Sequence, residues 1–429
     1  MRQKSWWNAA RLQPARRALA VSTAGRRRAL AAVAGFGLLA ACTAVPFPPA
    51  PTTTTTTAVP TGAAFYVPPA VLPAGAPGTI IRAQAGHWYT DWFKTAQVAG
   101  TVSNLMYLST NADGTPIADT ATLIVPTTPV FGSRPLVDYA PGTQGWANSC
   151  APSQEMAAGI FDEGFAVTNL LALGYAVVVD DYPGLGTTNS HEYNVGTAEG
   201  YSVLDAIRAA ESLPGSGLSP ASPSAVEGYS QGGGAADWAA QEQPAYAPTL
   251  HLVGVAAGGT PANLQAVAAN INGTSFFAFL AGTALGFNFA YPSLDLNASL
   301  TPAGQTALAA LNGMCQTDAL TAYAGKSIEG YTIGGTDPIS TPQWTAVLNA
   351  NNLGATKPAV PIYQYHGLVD EVIPYSVEQT LHSQYCALGA TTDLVGYPGE
   401  HVTTQSEAQT DVDTWIQQRI QGQPATSNC

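Results

Sequence analysis

The run Tyr175-Ala176-Val177-Val178-Val179 carries no side chain suited to water. Side chains on a strand alternate between faces, so a strand apolar at every position must be covered on both. Helices on either side of a parallel sheet provide that cover. The surrounding sequence supplies them. Positions 157–173 read as a helix stopped by Gly174, 199–213 as a second, and 233–241 as a third. Short strand-like runs lie at 224–227 and 252–255. Strand and helix in alternation predict a mostly parallel sheet joined by crossovers, an α/β class.

The flanks depart from that rhythm. Runs at 79–81, 102–108 and 121–125 are β-rich, and Asn111-Ala112-Asp113-Gly114 is a turn between the last two. They predict opening antiparallel strands, followed by a strand at 135–139 ending at Pro141-Gly142. Positions 265–355 are Ala-rich and carry two aromatic clusters, at 275–280 and 287–291. They predict a helical insertion, either a cover over a site or plain packed core. The strand at 361–365, another at 392–396 and an amphipathic helix over 407–420 close the chain.

Gly228-Tyr229-Ser230-Gln231-Gly232 falls between the strand at 224–227 and a helix opening on Gly233-Gly234-Ala235-Ala236. The pentapeptide alone is weak, but this context is what the G-x-S-x-G elbow requires. Its Ser sits on a strained strand-to-helix turn, and Gly at both ends lets neighbouring backbone pass close. Ser230 is therefore the candidate nucleophile. An acid should follow it at the end of a later strand, then a histidine. Asp370 lies in His366-Gly367-Leu368-Val369-Asp370-Glu371, just past the strand at 361–365, where sites in such sheets gather. Glu371 is its nearest rival. His401 follows 31 residues later, after the last strand. His87 and His191 precede Ser230, His251 starts a strand, His382 is within a helical stretch, and His366 shares the short turn with Asp370. His401 is the expected base. An oxyanion needs two preplaced donors. The Gln231 backbone N–H is the first; Gln144 or Gly145, after the strand at 135–139, is the expected second.

The amino terminus reads as an address. Residues 1–42 hold eight Lys and Arg and no acid. Arg26-Arg27-Arg28 precedes a short apolar run over 29–41, which ends in Leu39-Ala40-Ala41-Cys42. That is an export signal ending in a lipobox-like site, with Cys42 the expected lipid carrier. A Pro/Thr-rich stretch over 43–75, with Thr52 to Thr57 unbroken, predicts a tether. The rest of the chain carries 7 basic residues against all 28 acidic ones, a balance of −21. So acidic a body repels nucleic acid, which is bound through Lys and Arg. Four cysteines remain beyond Cys42, namely Cys150, Cys315, Cys386 and Cys429. An even number in an exported chain suggests two disulfides, in any of three pairings. No spacing suits a zinc or phosphate site, so no metal and no cofactor is expected.

Several segments together resemble the secretory lipases of yeasts and actinobacteria. They are Tyr139-Ala140-Pro141-Gly142-Thr143-Gln144-Gly145, Cys150-Ala151-Pro152-Ser153, Asp181-Tyr182-Pro183-Gly184-Leu185-Gly186, the pentapeptide with Gly233, Tyr365-His366-Gly367, Asp370 and His401. The resemblance spans about residues 80–425. It implies an α/β-hydrolase core at 76–264 and 356–429, with a helical cap at 265–355 between nucleophile and acid. It implies cofactor-free ester hydrolysis on lipid or small ester substrates, and a Cys150–Cys315 disulfide, which leaves Cys386 with Cys429. The expected chain is a monomer, exported and held at a membrane surface through its anchor. An acyltransferase or a peptidase would use the same groups, and a non-catalytic binding module would need none of them.

Overall fold

The computed structural model describes residues 59–429. The export signal, Cys42 and the first part of the expected tether, residues 43–58, lie outside the described residues. Where the tether was expected to continue to residue 75, the chain is already packed. Phe65 is fully buried against Met106 and Ala118, and the Tyr66 hydroxyl reaches Ser153 Oγ at 3.0 Å. One buried aromatic anchors a segment whose Pro and Thr content reads as linker.

One nine-stranded sheet organises the domain, in the order β1-β2-β3-β5-β4-β6-β7-β8-β9. Its strands are β1 (Ile80–Ala85), β2 (Gly100–Thr110), β3 (Pro116–Pro126), β4 (Leu136–Ala140), β5 (Ala176–Asp180), β6 (Ser224–Tyr229), β7 (Leu252–Gly258), β8 (Ile362–Gly367) and β9 (Thr392–Tyr397). The first three pair antiparallel, and β3 meets β5 antiparallel. From β5 to the β9 edge all pairs are parallel.

Helices α1 (Pro152–Ala158), α2 (Gly164–Ala172), α3 (Gly196–Ser212) and α4 (Gln231–Tyr246) alternate with the strands. Then α5 (Leu264–Ile271), α6 (Phe277–Ala290), α7 (Leu296–Ser299), α8 (Pro302–Leu311), α9 (Gln316–Tyr323) and α10 (Pro342–Ala350) follow without a strand of the sheet. Helices α11 (Tyr375–Ala387) and α12 (His401–Ile420) finish the chain. The apolar strand behaves as its composition demands. Val178 enters the core shared with α3 and α4, while Val177 and Val179 enter the opposite core with α2 and α12. Complete burial of such a side chain is worth about 1.5–3 kcal/mol.

Two boundaries differ from the sequence reading. The single helix expected over 157–173 is two, because Gly159 adopts φ 78° and lies where a Cβ would stand 2.1 Å from the Asp91 carbonyl oxygen. Only glycine permits both the turn and that approach. The last helix begins at His401, six residues before the expected start. Glu400 caps it by accepting the Val402 and Thr403 N–H groups. Both disulfides, Cys150–Cys315 and Cys386–Cys429, are formed.

Candidate active site

Central strands β4, β6, β7 and β8 end at one edge of the sheet, and the candidate residues collect there. Ser230 leaves β6 with φ 61° and ψ −120°, an unusual conformation for a residue with a side chain. Three glycines make room for it. A Cβ on Gly228 would lie 2.2 Å from the Gly232 carbonyl oxygen, one on Gly232 1.9 Å from that of Ala140, and one on Gly233 2.2 Å from that of Gly258. The Ser230 N–H donates to the Gly258 carbonyl at 2.9 Å, fixing the turn to β7.

His401 stands at the first turn of α12 and Asp370 in the loop after β8. Separated by 31 residues of helix and strand, they meet because β9 is β8's neighbour. His401 Nδ1 lies 2.6 Å from Asp370 Oδ2, and His401 Nε2 lies 2.9 Å from Ser230 Oγ. Asp370 Oδ1 accepts the N–H groups of Val372 and Ile373 at 2.9 and 2.7 Å, which holds the carboxylate still. Burial alone would raise the Asp370 pKa; the hydrogen bonds and charges of His366 and His401 outweigh it and hold it well below the usual carboxylate range. Glu371, the rival acid, takes a different post: its Oε2 accepts the His401 backbone N–H at 3.2 Å. The Tyr229 hydroxyl donates to the His401 carbonyl at 2.7 Å, and its ring lies 5.2 Å from the imidazole.

The other histidines lie elsewhere, except one. His87 is exposed and His191 is buried against the Pro183 carbonyl. His251 is exposed, and His382 bonds Gln364. His366 sits behind the acid, with Nε2 3.3 Å from Asp370 Oδ2 and Nδ1 3.0 Å from Glu378 Oε2. Its place at i and i+4 with Asp370 was visible in the sequence; its contact with the carboxylate needed the turn's geometry.

The loop after β4 borders the expected oxyanion side. Thr143 and Gln231 line the cavity beside Ser230. Gln144 and Gly145 instead face the helical segment: the Gln144 carbonyl accepts the Gln316 N–H at 2.8 Å, and Gly145 pairs with Cys315. Of the loop residues 142–145, Thr143 lines the cavity. Two buried carboxyls brace this side. Glu163 accepts the Gly142 N–H at 3.1 Å and the Tyr139 hydroxyl at 2.8 Å. Glu199 accepts the Gln231 side-chain amide at 2.7 Å and the Asn194 N–H at 2.8 Å. Burial first, then neighbouring charge in the case of Glu163, raises them to about 7 and about 8. Neither was singled out in the sequence, where an isolated Glu in a helical stretch looks like a solvated one.

The cavity at Ser230 is walled by the helical segment, with Leu264, Val267, Phe279, Leu280, Trp344 and Leu348 among its apolar residues. A second cavity is lined wholly by that segment. The two share Leu280, Ala284 and Ile339. Among the described residues, His382, Cys386 and Cys429 form the one cluster with metal-ligand spacing, and both cysteines are in a disulfide.

Comparison with known proteins gives the family and the fold. The family model of the secretory lipases matches residues 152–428. A probable inactive lipase of Mycobacterium tuberculosis is 30% identical, over 86% of this chain and 84% of its own. The chain belongs to the secretory lipase family. A secreted triacylglycerol lipase of Malassezia globosa is 28% identical over 85% of this chain and 82% of its own. Candida antarctica lipase A in its closed state superposes with a TM-score of 0.74 at 26% identity, covering 82% of this chain and 84% of that one. The fold is an α/β-hydrolase, and this secretory lipase relative is a lipase-like ester hydrolase.

Proposed function

We propose that the chain hydrolyses carboxylic esters of apolar acyl chains, acylglycerols foremost, through an acyl-enzyme on Ser230. One observation carries this: an unbroken Ser230–His401–Asp370 relay, with links of 2.9 and 2.6 Å, opens into an apolar cavity. His401 takes the hydroxyl proton as Ser230 attacks the ester carbonyl, then passes it to the leaving alcohol. Asp370 orients the ring and stabilises its cation. The developing oxyanion is received by the Gln231 N–H and by Thr143 in the loop after β4. Water then repeats the sequence on the acyl-enzyme, and the acid is released.

The two adjoining cavities suit the acyl portion, because nearly all the side chains around the second one are apolar. Burying each methylene contributes about 0.8 kcal/mol, so longer chains gain until the second cavity is full. Residues 265–355 serve as the cap that supplies this wall. The exported protein is proposed to act as a monomer at a membrane surface, tethered through a lipid on Cys42; among the described residues no helix is long and apolar enough to cross a bilayer.

The test is hydrolysis of p-nitrophenyl esters of graded length by the wild type and by Ser230→Ala. Turnover should rise from acetyl to medium chains and fall by 10⁴-fold or more in the variant, on the order seen when a triad member is removed. Equal turnover by the two proteins would remove Ser230 from the reaction. The control matters because the mycobacterial relative bears the name of a probable inactive lipase. Mass of the membrane-extracted protein checks the anchor, which an unmodified Cys42 would refute.

A further inference from the structure

Both ring nitrogens of His366 face atoms that accept hydrogen bonds. Nε2 lies 2.8 Å from the Ile373 carbonyl oxygen and 3.3 Å from Asp370 Oδ2, and Nδ1 lies 3.0 Å from Glu378 Oε2. A carbonyl has no proton to give. Asp370 already accepts from Val372, Ile373 and His401. Glu378 accepts the Thr260 N–H at 3.0 Å on Oε2 and the Gln364 amide at 2.7 Å on Oε1. Between two ionised carboxyls, a neutral ring would turn a bare lone pair toward one of these acceptors. The side chains of His366, Asp370 and Glu378 are all fully shielded from solvent, so water cannot repair that mismatch.

We propose that His366 is a buried imidazolium clamped between Asp370 and Glu378, a positioning residue that keeps Asp370 a carboxylate and restrains the basicity of His401. The inference rests on the triad reading above. Burial by itself would push the His366 ring down; its bonds to the two carboxylates and their charges outweigh that and bring it to about 10.

The other titratable groups around it fit the assignment. From α11, Tyr375 places its ring 5.7 Å from His366, and His382 bonds Gln364 rather than Glu378. From α4, Asp237 approaches through Thr260; burial, then the Glu378 charge, pushes its carboxyl well above the usual range. From β6, Tyr229 donates to the His401 backbone, and from the β8 loop Glu371 accepts from it. Two carboxylates and one imidazolium leave a single negative charge. Protonation of His401 in the transition state brings the buried group to neutrality. Without the His366 charge, Asp370 would attract the proton of His401 more strongly, and the base would stay protonated to a higher pH.

The experiment is ¹⁵N NMR of the imidazoles in the folded chain, titrated from pH 5 to 9, for the wild type and for His366→Gln. Wild-type His366 should keep the signature of two protonated nitrogens throughout. His401 should stay protonated to a higher pH in the variant, because the positive charge beside Asp370 has been removed. The acidic limb of kcat/KM should move up with it. A neutral His366 ring near pH 7 in the wild type overturns the proposal, and needs no variant. So does an unmoved His401 titration in a His366→Gln protein that folds, since a purely structural role predicts only lower stability. Failure of the triad reading would appear separately, as no ester turnover and no labelling of Ser230 by a fluorophosphonate.

Discussion

A positive φ costs a serine about 1–3 kcal/mol, and the fold around Ser230 over-determines it. Gly228, Gly232 and Gly233 let three carbonyls approach to where no Cβ could stand. At this scale the two neighbouring acids, Asp370 and Glu371, divide their work by a matter of which His401 atom they meet. Asp370 holds the imidazole; Glu371 holds only the backbone N–H. Asp370→Asn should therefore lower kcat by about 10⁴-fold, as a carboxamide stabilises the wrong tautomer. Glu371→Gln should stay within about tenfold, because one exposed-side backbone bond is worth about 1 kcal/mol. Steady-state kinetics on one ester decides it, and equal losses would reject the assignment.

At the scale of elements, the cavity depends on how α6 is seated. Its Gly282 and Gly286 lie on one helical face, where a Cβ would meet the Trp146 ring at 2.1 Å and the Tyr193 carbonyl oxygen at 2.5 Å. Small residues four apart let the helix rest directly on the loop that carries Tyr193 and Asn194, both of which line the Ser230 cavity. The Cys150–Cys315 bridge and the Gly145–Cys315 pairing tie the same helical segment to the loop after β4. Gly286→Val must shift backbone rather than a side-chain tip. It should cost about 1–3 kcal/mol and lower kcat/KM on long-chain esters. A melting temperature and kinetics equal to the wild type would show that α6 is not held where the structure has it.

Over the whole molecule, the scarcity of cations sets the response to pH. Among the described residues, Arg208–Asp205 is the one ion pair that uses Lys or Arg. Other buried carboxyls lack such a partner. Burial raises Asp181 to about 7 and Glu155 and Glu227 to about 8. The folded state thus binds protons more tightly than the unfolded chain. The resulting stability is complete below the unfolded carboxyl range, near pH 4, and is lost as pH rises through about 7–8. Asp370, held low, has the opposite sign and favours the fold above its unfolded pKa. The many outweigh the one, so the melting temperature should be higher at pH 5 than at pH 8.5. Calorimetry in low-absorbing buffers tests this; a melting temperature that climbs toward pH 8.5 would contradict it.

What the sequence determined by itself was whatever depends on neighbours along the chain. A strand apolar at every position must be buried on both faces, and Val177, Val178 and Val179 divide between two cores. A Ser between spaced glycines, after a strand and before a helix, must sit on a sharp turn. The order of Ser230, Asp370 and His401 followed from that architecture, and the three lie within hydrogen-bonding distance. Tertiary structure decided what depends on contact between distant segments. A turn's direction, set by Gly159 against Asp91, divided one expected helix into two. One residue of register put Thr143 rather than Gln144 or Gly145 at the cavity. A single buried ring, Phe65, drew a linker-like segment onto the sheet. His366 and Glu378 are 12 residues apart, and a linear reading weighed the first only as a rival base and did not single out the second. Only the fold brings them together behind Asp370, because burial removes the water that would otherwise answer for every donor and acceptor.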